Sequence, residues 1–253
     1  MVATFRFALI AICAAVALPA QAAELKLLTT GAFKQVVLAV VPEYEKKTGN
    51  KVVVDNDTAG GLQKRIDGGE TFDVAIITPG AIDGLAKEGK VVASTHTKLA
   101  SVGVGVGVKE GAPKPDISTV DAFKKALLAA KAVAYIDPAG GGSSGIYFDK
   151  LLEKLGIANE VRAKAKLKKG GYAAEFVASG EADLVVHQIS EIIPVKGVAL
   201  VGPLPAEIQN VTTYSGAVST KSAQQEASQA LLKQFSDPQT AALLKDKGMQ
   251  PAQ

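Results

Sequence analysis

The sequence predicts an α/β protein of two lobes, each a mostly parallel sheet flanked by helices, with two chain crossings between them. Three observations carry this. Apolar runs of β type alternate with amphipathic helical runs, the order that places helices on both faces of a parallel sheet. A glycine-alternating strand, SVGVGVGV at 101–108, separates one such series from a second that starts near Ser118. A late strand candidate, 214–220, then returns the chain to the first series.

The elements follow in order. Residues 25–28 form a short strand, and 33–47 a helix stopped by Gly49, with Pro42 expected to kink it or mark a new start. Strand 51–54 leads to a short helix, 61–67, closed by Gly68 and Gly69. Strand 72–78 is apolar enough to be buried, and helix 79–88 ends at Gly89. In 101–108, three glycines weaken a strand, so close backbone approach or a bend is expected there. The dinucleotide-binding spacing is absent, and Gly111, Pro113 and Pro115 follow instead of a helix.

The second series opens with a capping-box pattern, Ser118 to Asp121, ahead of helix 122–130. Strand 132–136, helix 144–155, helix 172–179 and strand 182–187 follow, then strand candidates 198–201 and 214–220 and helices 223–235 and 238–247. The lobes are expected to be 24–103 with 216–253, and 104–215. In such a fold, ligands sit at the carboxyl ends of the strands, in a cleft that hinge closure seals.

Residues 1–22 read as an export leader. Arg6 is the only charge before Glu24, 7–18 are continuously apolar, and Ala20-Gln21-Ala22 supplies a small-x-small cleavage site. Cleavage removes Cys13, the only cysteine, so thiol and disulfide chemistry are excluded from the mature chain. The expected location is the periplasm. The 28 basic and 25 acidic side chains nearly balance, which argues against nucleic acid as a partner. The basic run at 162–169 reads as a solvated face.

The stretch 137–156, DPAGGGSSGIYFDKLLEKLG, is a glycine-serine loop opening into a helix. Such a loop aims backbone N–H groups and hydroxyls at the positive end of the helix and makes an anion site. Together with LKLLTTGAFKQVVLAVVPEYEKKTG, VVVDNDTAGGLQKRIDGG, FDVAIIT and VASGEADLVVHQISEI, it resembles the periplasmic molybdate-binding protein family, within the type-2 periplasmic solute-binding fold, over most of the mature chain.

That resemblance implies a monomer that captures a small anion in the interlobe cleft and delivers it to an ABC transporter permease, with no enzymatic activity, cofactor or metal. The ligand-binding residues it implies are Thr29, Thr30, Gly31 and Ala32 in the first loop and Thr58, Ala59, Gly60 and Gly61 in the second. Thr78 precedes the third helix, Ser143, Ser144 and Gly145 open the helix in the second lobe, and Gln188 falls near the family's late tyrosine. The family carries a serine where Ala32 stands and a serine-rich loop around Ala59. The lost hydroxyls imply discrimination against molybdate and room for a larger organic anion.

Two other readings compete. Gly141-Gly142-Ser143-Ser144-Gly145 fits the G-x-S-x-G nucleophile elbow, with Asp183 and His187 following in hydrolase order, so a secreted serine hydrolase is one alternative. A binding protein that serves a membrane sensor is the other. His96 and His187 are far apart and read as lone polar residues. Asp55 and Asp57 hint at a cation loop without calcium-loop spacing. Tyr172 and Tyr214 fit the cleft or the core equally well.

Overall fold

In a computed structural model, residues 22–252 are described; the expected leader, 1–22, and Cys13 fall outside them, apart from Ala22. The chain runs β1 (Glu24–Thr30), α1 (Gly31–Thr48), β2 (Lys51–Asp57), α2 (Ala59–Asp67), β3 (Val74–Ile77), α3 (Pro79–Lys87) and β4 (Thr97–Lys109). It continues through α4 (Val120–Ala129), β5 (Val133–Ile136), α5 (Ser143–Lys154), α6 (Ala158–Arg162), β6 (Ala165–Lys168), α7 (Glu175–Ala178), β7 (Leu184–Gln188) and α8 (Ile189–Ile192). It ends with β8 (Val198–Pro203), β9 (Val211–Val218), α9 (Gln225–Phe235), α10 (Thr240–Asp246) and β10 (Gln250–Pro251).

The strands form a curled mixed sheet in the order β2-β1-β3-β9-β4-β7-β5-β6, with β8 and β10 added to β4. Pairing is parallel within each half, β1 with β2 and β3, and β5 with β6 and β7. The two halves are joined by antiparallel strands. Residues 97–103 of β4 pair with β9, and from Val104 onward β4 pairs with β7 and β8.

The buried side chains segregate accordingly. Phe33, Val36, Val74, Val102, Tyr214 and Phe235 belong to one cluster; Val104, Phe123, Tyr135, Phe148 and Val186 belong to another. Each half carries a further cluster, around Leu62, Ile77 and Ile82 in the first and around Ile136, Val177 and Ile192 in the second. The fold is thus a two-lobed α/β protein. Edge-to-face pairs anchor each lobe, Phe33 with Phe235 at 5.7 Å and Tyr135 with Phe148 at 5.0 Å between centroids.

The glycines of β4 mark close approach, as their pattern suggests. A Cβ on Gly105 would lie 2.7 Å from Ile189 Cγ1 and 2.9 Å from the Gly202 carbonyl oxygen, and one on Gly107 2.9 Å from Ile192 Cγ2. Helix α8 and strand β8 therefore press directly onto the β4 backbone. Pro42 lies within α1, which runs continuously through it. The N-cap of α4 is Thr119, whose hydroxyl accepts from Ala122 N–H at 3.1 Å. Among the described residues, no helix is long and apolar enough to cross a membrane.

On the first lobe's edge, Arg65 ties β2 to the loop after α2. It bonds Glu70 through Nε at 2.5 Å and Nη2 at 2.7 Å, contacts Asp55, and lies 3.8 Å from Asp57. The cation suggested by Asp55 and Asp57 is this guanidinium. Arg65 and Lys26 together hold the Glu70 carboxyl down to about 2.

Helix α5 packs on β5 with no space at Gly145, where a Cβ would lie 2.1 Å from the Ile136 carbonyl oxygen. Gly145→Ala is therefore expected to lower the unfolding free energy by at least about 1–3 kcal/mol, since rigid backbone must move. Urea titration checks this; an unchanged midpoint would show that α5 adjusts freely.

Candidate functional site

The carboxyl ends of β1, β2, β5 and β7 face one narrow cleft. Thr30, Gly31 and Ala32 line it at the start of α1, and Asn56, Asp57, Thr58 and Ala59 at the start of α2. From the second lobe come Ile136, Gly142, Ser143 and Ser144 around the start of α5, with Gly171, His187 and Glu191. Tyr214 of β9 completes the lining, which includes no lysine or arginine.

The three helix starts are not equivalent. Thr58 caps α2, its hydroxyl accepting from Gly61 N–H at 2.9 Å. Helices α1 and α5 have no side-chain cap. Thr30 Oγ1, at the α1 N-cap, is buried without a partner. The first-turn N–H groups of α1 and α5 are thus the ones left for a ligand. The α2 loop also reaches across the cleft. Thr58 donates to the Gly140 carbonyl at 2.5 Å, and Gly60 N–H to the Gly141 carbonyl at 3.1 Å. A Cβ on Gly60 would lie 2.8 Å from Gly141 Cα, so the contact needs glycine on both sides.

Of the residues expected from sequence, Thr30, Gly31, Ala32, Thr58, Ala59, Ser143 and Ser144 line the cleft. Gly60 and Gly61 have their N–H groups engaged as above. Thr29 is fully buried, its hydroxyl turned to the Thr30 carbonyl at 3.4 Å. Thr78 is the N-cap of α3, outside the lining, and Gly145 is packed on Ile136. Gln188 lies behind the wall, its amide donating to Ser143 Oγ at 3.2 Å and Thr212 Oγ1 at 3.0 Å.

The residues that sequence reasoning set aside are the titratable ones. His187 is 1% exposed. Its Nδ1 accepts from Gln188 N–H at 2.9 Å, so the neutral ring carries its proton on Nε2. Burial drives its pKa down to about 3. Glu191, on α8, has Oε2 3.4 Å from the same Nδ1. Burial drives that carboxyl up to about 8. Tyr214 and Tyr172 are raised, also chiefly by burial. The available signal was an acid four residues after a histidine in a mostly apolar stretch, LVVHQISEII.

The hydrolase geometry is missing. Ser144, not the elbow residue Ser143, meets His187, and does so at Nδ1 over 3.1 Å. Glu191 approaches that same nitrogen, so no relay passes through the ring. Asp183 accepts from Lys131 and Ala132 N–H, at 2.6 and 3.1 Å, instead of facing His187. Ser143 Oγ faces Gln188 and Tyr214.

Residues 25–250 match the family of bacterial extracellular solute-binding proteins. The chain is 35% identical over 233 residues to a Pseudomonas protein named aconitate isomerase, covering 90% of this chain and 87% of that one. It is 27% identical over 238 residues to the molybdate-binding protein ModA of Azotobacter vinelandii, covering 90% of both. The solved structure of the periplasmic molybdate-binding protein from that organism superposes with a TM-score of 0.76 at 20% identity, over 90% of this chain and all of the other. The isomerase overturns the expectation of a non-enzymatic protein. A single fold here serves capture in one relative and catalysis in another, and residue pattern alone does not separate them. The match over nearly the whole described chain establishes that this protein belongs to the bacterial extracellular solute-binding protein family.

Proposed function

We propose that the cleft binds a small unsaturated polycarboxylate and interconverts its double-bond isomers, as the name of the Pseudomonas relative implies for aconitate. The observation that carries this reading is the Glu191 carboxyl, buried in the cleft beside a neutral His187 and pushed up to about 8. A perturbed acid in a cleft is the mark of proton transfer. Oxyanion capture on helix N-termini has no use for it.

The chemistry needs one proton to move. A base removes it from the methylene beside the double bond. The electron pair spreads over three carbons and the attached carboxylates. The proton then returns to the far carbon, and the double bond has shifted. No oxidant, metal or water is consumed. Glu191 acts as the base when ionised and as the acid when it returns the proton. Its raised pKa makes it a stronger base than an ordinary carboxyl, and when protonated it does not repel the incoming anion.

The open starts of α1 and α5, with Thr30 and Ser143, hold the substrate carboxylates. Ala32 and Ala59 put no hydroxyl into the lining. The contacts from Thr58 and Gly60 to Gly140 and Gly141 close the cleft over the ligand. For that closure we place the hinge crossings at 103–104 and near 210 in place of the expected 215–216, because Val211 to Tyr214 of β9 already pair with the first-lobe part of β4. In location and partner we follow the family, with the periplasm as the site of action and an ABC-type permease of the inner membrane as the recipient of the anion. Isomerisation in the closed cleft is compatible with that delivery.

The test is proton NMR of the protein with trans-aconitate. Conversion to the cis isomer is the expected result. No conversion, with submicromolar molybdate binding by calorimetry, would overturn the proposal. Because the ionised carboxyl is the base, kcat/KM should rise with pH through about 8.

Glu191→Gln should reduce turnover at least about 10²-fold while stabilising the fold. The carboxyl's folded pKa, about 8, lies above its ordinary value of 4.5, so the fold favours the protonated form. Stability is therefore lost as pH rises from 4.5 to about 8, and the glutamine escapes that loss. The gain should be near zero below pH 4.5 and on the order of a few kcal/mol above pH 8. His187 acts in the opposite range, losing stability as pH falls from 6.5 toward about 3, and does so in both proteins. Paired urea titrations at pH 4.5 and 8.5 check the difference.

A further inference from the structure

We infer that Gly31 is a positioning residue: its missing side chain is the space in which the Glu191 carboxyl sits at the cleft wall. The inference rests on the reading of Glu191 as the acid–base group.

A Cβ on Gly31 would lie 2.4 Å from Glu191 Oε1 and 3.6 Å from its Cδ. The backbone does not ask for glycine here. Residue 31 is the first of α1 and is not among the glycines of positive φ. Inside a helix, alanine is favoured over glycine by about 1 kcal/mol. A side chain at 31 is excluded by what occupies its place, and that is the carboxyl.

The helix that carries Glu191 is held in place. This helix, α8, is pinned by backbone at three other glycines. Gly105 and Gly107 leave 2.7 and 2.9 Å, measured from a hypothetical Cβ, to Ile189 and Ile192. Gly248 leaves 2.7 Å to Ile189 and Ile193. A methyl group at 31 therefore cannot push the helix back and must turn the carboxyl away from its present position. The titratable groups facing that carboxyl are His187 from β7, Tyr214 from β9, and Tyr172 from the segment before α7. None of them stands on α1, so the change at 31 acts on geometry and leaves their charges in place.

The experiment is a double-mutant cycle. Gly31→Ala should lower kcat about 10²-fold, the scale of an ångström-sized misplacement, and displace the alkaline rise of the kcat/KM profile. Glu191→Asp alone, one methylene short, should also lose activity. The double variant should be more active than Gly31→Ala, because the shorter arm restores the space. Unchanged kcat and pH profile in Gly31→Ala, or losses that simply multiply in the double variant, would overturn the inference. If Gly31→Ala does not fold, the double variant should; equal failure of both would also overturn it.

If the wild-type protein converts no aconitate, it is the isomerase reading that fails. The positioning is then read from carbon-13 NMR titration of the Glu191 carboxyl, which should shift between wild type and Gly31→Ala. An identical titration in both would overturn the inference on its own terms.

Discussion

The Glu191 carboxyl is kept from water by elements drawn from both lobes, and the chemistry of the cleft follows from that burial. Helix α1 faces it at Gly31, β7 supplies His187, and β9 supplies Tyr214. Helix α8 can bring it there because β4 offers bare backbone at Gly105 and Gly107. In the proposed reaction a water-exposed carboxylate would repel the anion and would be a weak base. Burial favours the neutral form, which does not repel an anion, and makes the ionised form more basic when it appears. The same burial keeps His187 neutral. The pair therefore carries no net charge near neutral pH.

Most of the scaffold was legible because it obeys simple periodicities. The buried strands β1, β3, β5 and β7 are apolar runs, and glycine stops mark the ends of α1, α3 and α10. What escaped had too little pattern or a misleading one. Strand β6, AKLK, is a half-exposed edge strand, and its alternating lysines read as a solvated basic face. Helix α8 is a single turn of four residues, too short to show any period. Strand β9 begins at Val211, with Thr212 and Thr213 diluting its apolar signal.

The site divided along the same line. The small-residue loops before α1, α2 and α5 were visible because a tight helix start has a local signature. The convergence of His187, Glu191 and Tyr214 was not, because it depends on which strands become neighbours. Placing β7 beside β4, and β9 on the far side of β4, is a tertiary fact. The function was harder still. Among the relatives one fold serves both an isomerase and a capture protein, so the fold alone does not separate them.

The way the cleft would hold the proposed anion also bears on how it would let one go. An arginine or lysine in contact with a polycarboxylate gives strong, long-lived binding, and the lining includes neither. Helix starts and hydroxyls supply direction with less attraction. The closure across the cleft is made by hydrogen bonds and backbone contact. Its hydrogen bonds include Thr58 to Gly140 and Gly60 to Gly141, around a glycine–glycine contact, with Gln35 to Tyr172 and Ser143 to Tyr214 beside them. At about 0.5–1.5 kcal/mol each, such bonds add up in favour of the shut form. A protein that only stores its ligand tolerates slow release, whereas one that turns it over must open every cycle. Glycine on both sides brings the backbones close enough to exclude water while adding no side chains to interlock. In the proposed reaction the closure and the buried acid would serve one cycle, in which the cleft dries, moves a proton and opens.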